Sequence, residues 1–259
     1  MFKRIPTVSA ALAAALVAQS AYAGTCIGNC GTLSPNGVVT APPGATTYSY
    51  VSTYLGVDGA GQLSGIGGTN GTTYITPAFA ANSGDLLNFN FDYVTSDGAG
   101  YDDYAWAALL DTSLNPVAIL FTARTEPAGP IVPGVGLPAA NATLTPSPVT
   151  IISGGPMWDP LGPWSGTCYD AGCGYTGWVN SKYTIPTGGN YVLSFGVSNW
   201  IDTVWDSGMA FSGITIAGTP IDDAVPEPAT WAMMLLGFGF VGGAMRTAKR
   251  RQKAAFSYA

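Results

Sequence analysis

Apolar and polar residues alternate along much of the chain between residues 46 and 217, and this alternation predicts β-strands. The clearest strand has one apolar face, formed by Leu87, Phe89, Phe91 and Tyr93, and one polar face, formed by Asn88, Asn90 and Asp92. Similar patterns predict strands at residues 46–55, 104–110, 117–123, 179–185, 191–197 and 209–217. Because no long amphipathic helix separates these strands, the pattern favours an all-β fold, an antiparallel β-sandwich of jelly-roll type.

Amino-acid composition, and the placement of Gly and Pro in particular, distinguishes a folded domain from the loops and the linker around it. Residues 24–221 are rich in Gly, Thr, Tyr, Val and Asn and poor in Leu, Glu and Lys, which opposes helix and favours strands joined by glycine turns. We therefore expect one sandwich domain there. Residues 126–163 are crowded with Pro and Gly, which predicts a long excursion over its surface. Residues 222–228 are acidic and contain proline, as in an extended linker.

Both ends of the chain carry targeting patterns. Lys3 and Arg4 precede an apolar stretch and then Ala21-Tyr22-Ala23, so we expect a signal peptide at residues 1–23, cleaved between Ala23 and Gly24. Residues 229–245 form an uncharged apolar run of 17 residues, followed by a basic segment at 246–259. This order predicts a short transmembrane helix with a cytoplasmic tail.

The C-terminal pattern resembles a known sorting signal. Pro226-Glu227-Pro228 is followed by Thr-Trp-Ala-Met-Met at 230–234, by Gly-Phe-Gly at 237–239 and by an Arg-rich end. This order is similar to the PEP-CTERM signal of Gram-negative bacteria, a segment also called an ice-binding-protein C-terminal domain. The resemblance implies export, transient membrane anchoring, and cleavage near Pro226-Glu227-Pro228 by an exosortase, a membrane cysteine transpeptidase-like enzyme. The processed protein would then reside at the cell surface or in the extracellular matrix.

The resemblance extends more weakly into the body. Residues 96–106 and 198–208 are similar to stretches of uncharacterised PEP-CTERM surface proteins, which implies a shared domain but no known activity.

Charge and histidine content exclude several functions. Between residues 24 and 223 the chain has two basic residues, Arg124 and Lys182, against fourteen acidic ones, a net charge of −12. So acidic a body repels phosphate backbones, which excludes nucleic acid as a partner and favours cations. The chain has no histidine, so neither a Ser-His-Asp nor a Cys-His catalytic arrangement is available.

Four cysteines lie in the exported part, and an even count in an oxidising compartment predicts two disulfides. The favoured pairing is local, Cys26 with Cys30 and Cys168 with Cys173, because each pair flanks a small glycine-containing loop. The alternative pairing ties the N-terminal segment to the Cys168 loop.

Two strand–loop–strand units carry clustered aspartates, and these are the candidate metal ligands: Asp97, Asp102, Asp103, Asp202 and Asp206. If the two loops meet at one rim of the sandwich, their oxygens could share a Ca²⁺ ion, the only cofactor we expect. The alternative is that each aspartate caps a turn or faces water, since no EF-hand or RTX spacing is present.

The leading interpretation is a non-enzymatic envelope or matrix protein that associates with exopolysaccharide. Exposed tryptophans could stack on sugars, and such sugar binding could depend on calcium. However, the favoured role for the tryptophans of the body is core packing. These tryptophans are Trp158, Trp164, Trp178, Trp200 and Trp205. The rival is a secreted glycoside hydrolase that pairs Asp102 or Asp103 with Asp206. Such an enzyme needs two carboxyl groups ~5–10 Å apart, one of them with a raised pKa.

Overall fold

Two antiparallel β-sheets face each other across an aromatic core in the computed structural model, which describes residues 24–221. The expected signal peptide, the Pro226-Glu227-Pro228 motif and the apolar run at 229–245 lie outside the described residues. Within residues 24–221, none of the helices has the length and apolar character needed to cross a bilayer. The all-β, antiparallel fold expected from the alternation is confirmed.

Eighteen strands and one short 3₁₀ helix, Asp159–Trp164, make up the regular structure of the described chain. In chain order the strands are β1 (Thr25–Ile27), β2 (Asn29–Leu33), β3 (Tyr48–Ser52), β4 (Val57–Asp58), β5 (Asn70–Ile75), β6 (Phe79–Ala81), β7 (Leu86–Thr95), β8 (Tyr104–Asp111), β9 (Pro116–Arg124), β10 (Pro130–Val132), β11 (Thr143–Thr145), β12 (Val149–Thr150), β13 (Ile152–Ser153), β14 (Gly174–Tyr175), β15 (Val179–Thr184), β16 (Gly189–Ser198), β17 (Ser207–Ile216) and β18 (Thr219–Pro220).

The first sheet has the order β1-β5-β16-β8-β9, with β4 beside β5 and β6 beside β16. The second has the order β11-β15-β7-β17-β3-β2, with β14 beside β7 and β13, and β18 beside β17. Strands β10 and β12 form a separate pair. The chain passes from the second sheet to the first between β7 and β8, and from the first to the second between β16 and β17.

Aromatic stacking joins the two sheets through the core. The rings of Phe91 and Phe121 stack with centroids 3.7 Å apart, and those of Phe195 and Phe211 with centroids 4.0 Å apart. In both pairs one ring comes from each sheet, and all four are buried. Each such ring contributes about 1.5–3 kcal/mol through burial alone, so these pairs fix the sheets face to face.

The polar face of β7 is also buried, although the alternation predicts that it faces water. Asn90 and Asp92 are 9% and 1% exposed. A second apolar cluster covers this face of the sheet, and in it the Trp158 Nε1–H donates to the Tyr48 hydroxyl at 2.9 Å. The segment at 126–163 contributes Trp158 and Leu161 to this cluster, and it contains four short strands and most of the 3₁₀ helix. Three residues of the same segment, Ile131, Val132 and Val149, are buried in the main core.

Both disulfides have the favoured local connectivity. Cys26 is bonded to Cys30 and Cys168 to Cys173, and no described cysteine is free. The first bond ties β1, at the edge of one sheet, to β2, at the edge of the other. The second closes a six-residue loop, and this loop becomes part of the candidate site.

Candidate functional site

The two acidic loops meet at one end of the sandwich. One is the β7–β8 connection, residues 96–103, and the other is the β16–β17 connection, residues 199–206; together we call them the acidic rim. Hydrogen bonds join the loops directly. The Trp200 N–H donates to Asp103 Oδ1 at 2.8 Å, and the Ser96 N–H donates to the Asp206 carbonyl at 3.1 Å. Both loops are crossovers between the sheets, and this topology brings them together.

Asp103 lies at the centre of the acidic rim, with none of its surface exposed. Its Oδ2 lies 2.7 Å from the Ser207 hydroxyl, which is also 2.8 Å from the Thr95 hydroxyl. Burial raises the pKa of the Asp103 carboxyl well above its ordinary value, and the charge of Asp97 raises it further. Burying this carboxyl as a bare anion is unfavourable, so a bound proton or a nearby cation is needed to stabilise it.

Asp97 is fully buried as well, and it is less well satisfied than Asp103. Its Oδ1 accepts from the Gly98 N–H at 2.7 Å, whereas its Oδ2 has no hydrogen-bond partner. Burial raises the pKa of this carboxyl to about 8, and the charges of Asp202, Asp102 and Asp206 add to the effect. Asp97 is thus electrostatically coupled to both loops of the rim.

Asp206 and Asn199 bring the second loop to the same place. Asp206 is 3% exposed, and its Oδ1 accepts from the Thr53 hydroxyl at 2.8 Å. Burial raises its pKa to about 6, opposed by hydrogen bonds from Thr53 and Asn199. Asn199 is fully buried; its Nδ2 donates to Asn70 at 3.0 Å, and its Oδ1 has no partner.

The other two predicted ligands lie nearer the surface. Asp102 and Asp202 are half-buried, and burial raises the pKa of Asp202. Within residues 24–221, no three His, Cys, Asp or Glu side chains converge as a ready-made metal-binding group. The structure thus brings Asp97, Asp103 and Asp206 into the interior of one rim and leaves Asp102 and Asp202 at its edge.

A row of aromatic rings borders the acidic rim. The rings of Trp164 and Trp205 lie 4.4 Å apart, those of Trp205 and Tyr169 5.6 Å apart, and those of Tyr169 and Tyr101 5.2 Å apart. Tyr169 is 45% exposed and the other three are half-buried. The planes of successive rings are tilted by 31°, 55° and 87°, so the rings do not share one plane.

The disulfide-closed loop positions Tyr169, the most exposed ring of this row. Tyr169 lies between Cys168 and Cys173, and its N–H donates to the Ser96 carbonyl at 2.9 Å. The Ala99 N–H donates back to the Ala171 carbonyl at 2.8 Å. The loop is therefore held against the β7–β8 connection by covalent and hydrogen-bonded contacts, and Tyr169 is held beside Trp205.

Backbone strain concentrates at the same end of the sandwich. Three of the five described non-glycine residues with positive φ are Leu55, Ile201 and Trp205, at +58°, +77° and +58°. Ile201 is β-branched, and this conformation is especially unfavourable for such residues. Ile201 and Leu55 are also 64% and 72% exposed. Strain of this kind costs about 1–3 kcal/mol per residue and clusters at functional sites.

The remaining tryptophans have structural roles. Trp158 is buried in the second apolar cluster, and half-buried Trp178 packs against it. Trp200 lies under the guanidinium of Arg124, 4.8 Å from the ring centroid. The expectation of core packing therefore holds for Trp158 and not for Trp164 and Trp205, which form the rim surface.

The sequence supplied the acidic residues of the rim but not their partners. Asn199, Thr53 and Ser207 carry no recognisable motif, and they matter only because the crossovers place them beside the aspartates. Tyr169 could have been suspected from its position inside a short disulfide loop. Its approach to Trp205 depends on the tertiary fold.

Comparison with known proteins identifies a sorting signal in the C-terminal part of this chain. Residues 224–251 match the family model described as the PEP-CTERM protein-sorting motif, as the resemblance implied. This motif supports export and processing by an exosortase. No curated protein matches the chain.

A search of solved structures finds a distant similarity. The K3 cleaved adhesin domain of Lys-gingipain from Porphyromonas gingivalis w83 matches with a TM-score of 0.32 and 14% identity. The match covers 72% of this chain and 90% of that domain.

Proposed function

We propose that this protein is a non-enzymatic component of the cell surface or extracellular matrix that binds uncharged segments of exopolysaccharide at its aromatic row. The expected route is export, transient anchoring by residues 229–245, and release by exosortase cleavage near Pro226-Glu227-Pro228. The single observation that supports sugar binding is the row of Trp164, Trp205, Tyr169 and Tyr101 at the rim.

The chemistry of the row suits a sugar. The C–H faces of pyranose rings are apolar and pack on aromatic faces, while their hydroxyls need acceptors nearby. The acidic rim supplies such acceptors at its edge, where Asp102 and Asp202 are half-buried. A net charge of −12 between residues 24 and 223 repels anionic polymers, so an uncharged segment is the favoured occupant.

The hydrolase alternative has less support from the geometry. A raised carboxyl pKa, as for Asp97 and Asp206, is the property that a general acid needs. However, a general acid must reach the glycosidic oxygen. Asp206, a member of both predicted pairs, is only 3% exposed, and Asp103 has no exposed surface. Their burial therefore favours a structural or ligand-holding role over acid catalysis.

Binding to a glycan array tests the proposal. The full chain should bind one or more polysaccharides, and Tyr169→Ala should weaken binding about 2- to 10-fold, since an aromatic contact contributes about 0.5–1.5 kcal/mol. Trp178→Ala is the matched control, because Trp178 is a half-buried tryptophan of the second apolar cluster. Equal effects of both substitutions, or no glycan bound by the wild type, would contradict sugar binding at the row.

A further inference from the structure

Two buried oxygens of the acidic rim lack any hydrogen-bond partner. They are Asp97 Oδ2 and Asn199 Oδ1, and they are the only such side-chain atoms found within residues 24–221. Both residues have zero exposed surface, and each comes from a different loop of the rim. Leaving a buried polar group unsatisfied costs about 1–3 kcal/mol, more when it is charged, so two such atoms at one rim indicate a missing partner.

The partner must be a species that interacts with oxygen lone pairs. Asn199 already uses its Nδ2 as a donor to Asn70, so its free atom is a carbonyl oxygen, which can only accept or coordinate. Asp97 Oδ2 is likewise an acceptor when its carboxyl is ionised. A cation held between the two loops would give both atoms a partner and would offset the repulsion among the ionised carboxylates of Asp97, Asp103 and Asp206.

Within residues 24–221, neither basic side chain supplies that cation. Lys182 pairs with Asn88 on β7, seven residues from Thr95, which is about 24 Å along the strand. Arg124 is closer, but its guanidinium lies over Trp200 and donates to the backbone carbonyls of Asp102 and Val135. The most influential charges around Asp97 are those of other aspartates.

We propose that the acidic rim binds one Ca²⁺ ion, with Asp97 Oδ2 and Asn199 Oδ1 among its ligands and Asp206 beside them. Oxygen-only donors on loops match the preference of Ca²⁺ for six to eight flexible oxygen ligands, including Asn and backbone carbonyls and water. With neither His nor free Cys among residues 24–221, transition metals lack their usual ligands. The site does not depend on the polysaccharide binding proposed above.

A mixed ligand set also agrees with the lack of three converging acidic side chains among residues 24–221. A site with two carboxylates, one amide oxygen, backbone carbonyls and water has fewer charges than an EF-hand. Calcium affinity is lower in sites that have fewer charged ligands and are less rigid. We therefore expect an affinity in the range of extracellular calcium modules, a Kd of about 10⁻⁴–10⁻³ M.

Thermal unfolding and titration calorimetry of the full chain test the proposal, with CaCl₂, MgCl₂ or EGTA as the only variable. At about 100 times its Kd, Ca²⁺ should raise the Tm by about 5–10 °C. Mg²⁺ should raise it less, since it requires tighter octahedral geometry and loses water reluctantly. Calorimetry should show one saturable site for Ca²⁺.

Variants locate the site. Asp97→Asn should abolish the Ca²⁺ response without lowering the Tm in EGTA, because it removes a buried charge while keeping an oxygen. Asp92→Asn is the matched control, since Asp92 is a buried aspartate of β7 outside the rim, and it should keep the response. Asp206→Asn is a second probe should Asp97→Asn not fold, because its amide oxygen can still accept from Thr53.

Three results would overturn the proposal: a wild-type Tm that is the same in EGTA and in Ca²⁺ at about 100 times the expected Kd, about 10–100 mM; an equal response to Mg²⁺; or a full Ca²⁺ response in both Asp97→Asn and Asp206→Asn. The first would mean that water or a shared proton satisfies the two oxygens. Loss of glycan binding in Tyr169→Ala with an intact Ca²⁺ response would separate this site from the aromatic row.

Discussion

Asp92 offers a quantitative test of the burial that the second apolar cluster imposes on β7. It is 1% exposed, and its Oδ1 accepts from the Thr176 hydroxyl at 3.1 Å. Burial raises the pKa of its carboxyl from 3.8 to about 7, opposed by hydrogen bonds from Thr176 and Gly177. The titratable neighbour Tyr48 stays neutral in this range, because burial raises its pKa from 10.0. The perturbation is Asp92→Asn, which resembles the protonated carboxyl and cannot ionise.

The direction of the pH effect on stability follows from the number of protons that the folded and unfolded states bind. Below about pH 4 both the folded and the unfolded protein hold the Asp92 proton, and the carboxyl carries no penalty. Between about pH 4 and pH 7 the unfolded chain has lost this proton while the folded chain keeps it, so stability falls as pH rises. Each pH unit between the two pKa values changes the free energy of unfolding by about 1.4 kcal/mol. The accumulated loss at pH 8 is about 4 kcal/mol.

Urea unfolding of the wild type and of Asp92→Asn at pH 4, 6 and 8, followed by tryptophan fluorescence, measures this loss. The difference in unfolding free energy between the two proteins should grow by about 4 kcal/mol in favour of Asp92→Asn from pH 4 to pH 8. In Tm this corresponds to about 8–16 °C for a domain of this size. A difference that is constant with pH would mean that Asp92 titrates normally in the folded protein. That result would refute the claim that this face of β7 is sealed from water.

Two further predictions concern processing and the disulfide loop. Replacing Pro226-Glu227-Pro228 by three alanines should leave the protein full length and in the membrane fraction, as judged by mass spectrometry; a shortened product at the surface would contradict exosortase cleavage there. The double variant Cys168→Ser with Cys173→Ser should lose about 2 kcal/mol of stability, from the loop entropy that a short disulfide removes. It should also weaken glycan binding as Tyr169→Ala does, and unchanged binding would show that hydrogen bonds alone hold the loop.

Period-two alternation predicted the core strands because their inward faces need apolar side chains. The apolar face of β7 is buried as expected, and so are the corresponding positions of β16, such as Phe195. The alternation did not predict the burial of Asp92, because a polar residue opposite an apolar face normally indicates water. That burial depends on the second apolar cluster, to which Trp158 contributes from a distant part of the chain. Single-strand patterns carry no information about such a second layer.

The candidate site was also only partly predictable, because the sequence shows which residues it contains but not how the fold arranges them. Clustered aspartates on two similar loops identified the acidic rim, since both loops follow strands with the same alternation. Which aspartates turn inward could not be read from spacing, because Asp102 and Asp103 are adjacent and only Asp103 is buried. Its burial results from hydrogen bonds to Trp200 and Ser207 across the crossover.

The proposed location of the protein is consistent with the electrostatics of its acidic rim. A body with two basic and fourteen acidic residues between residues 24 and 223 has few internal counter-charges, so its buried carboxyls depend on protons or on external cations. A Ca²⁺ site with a Kd of about 10⁻⁴–10⁻³ M stays empty at cytosolic calcium concentrations and fills only where calcium is millimolar. The sorting motif at residues 224–251 supports export of the chain, and we propose that the exported protein meets such calcium concentrations. Under our calcium proposal the rim would therefore reach its full stability only after export, when Asp97 and Asn199 gain a partner that residues 24–221 do not provide.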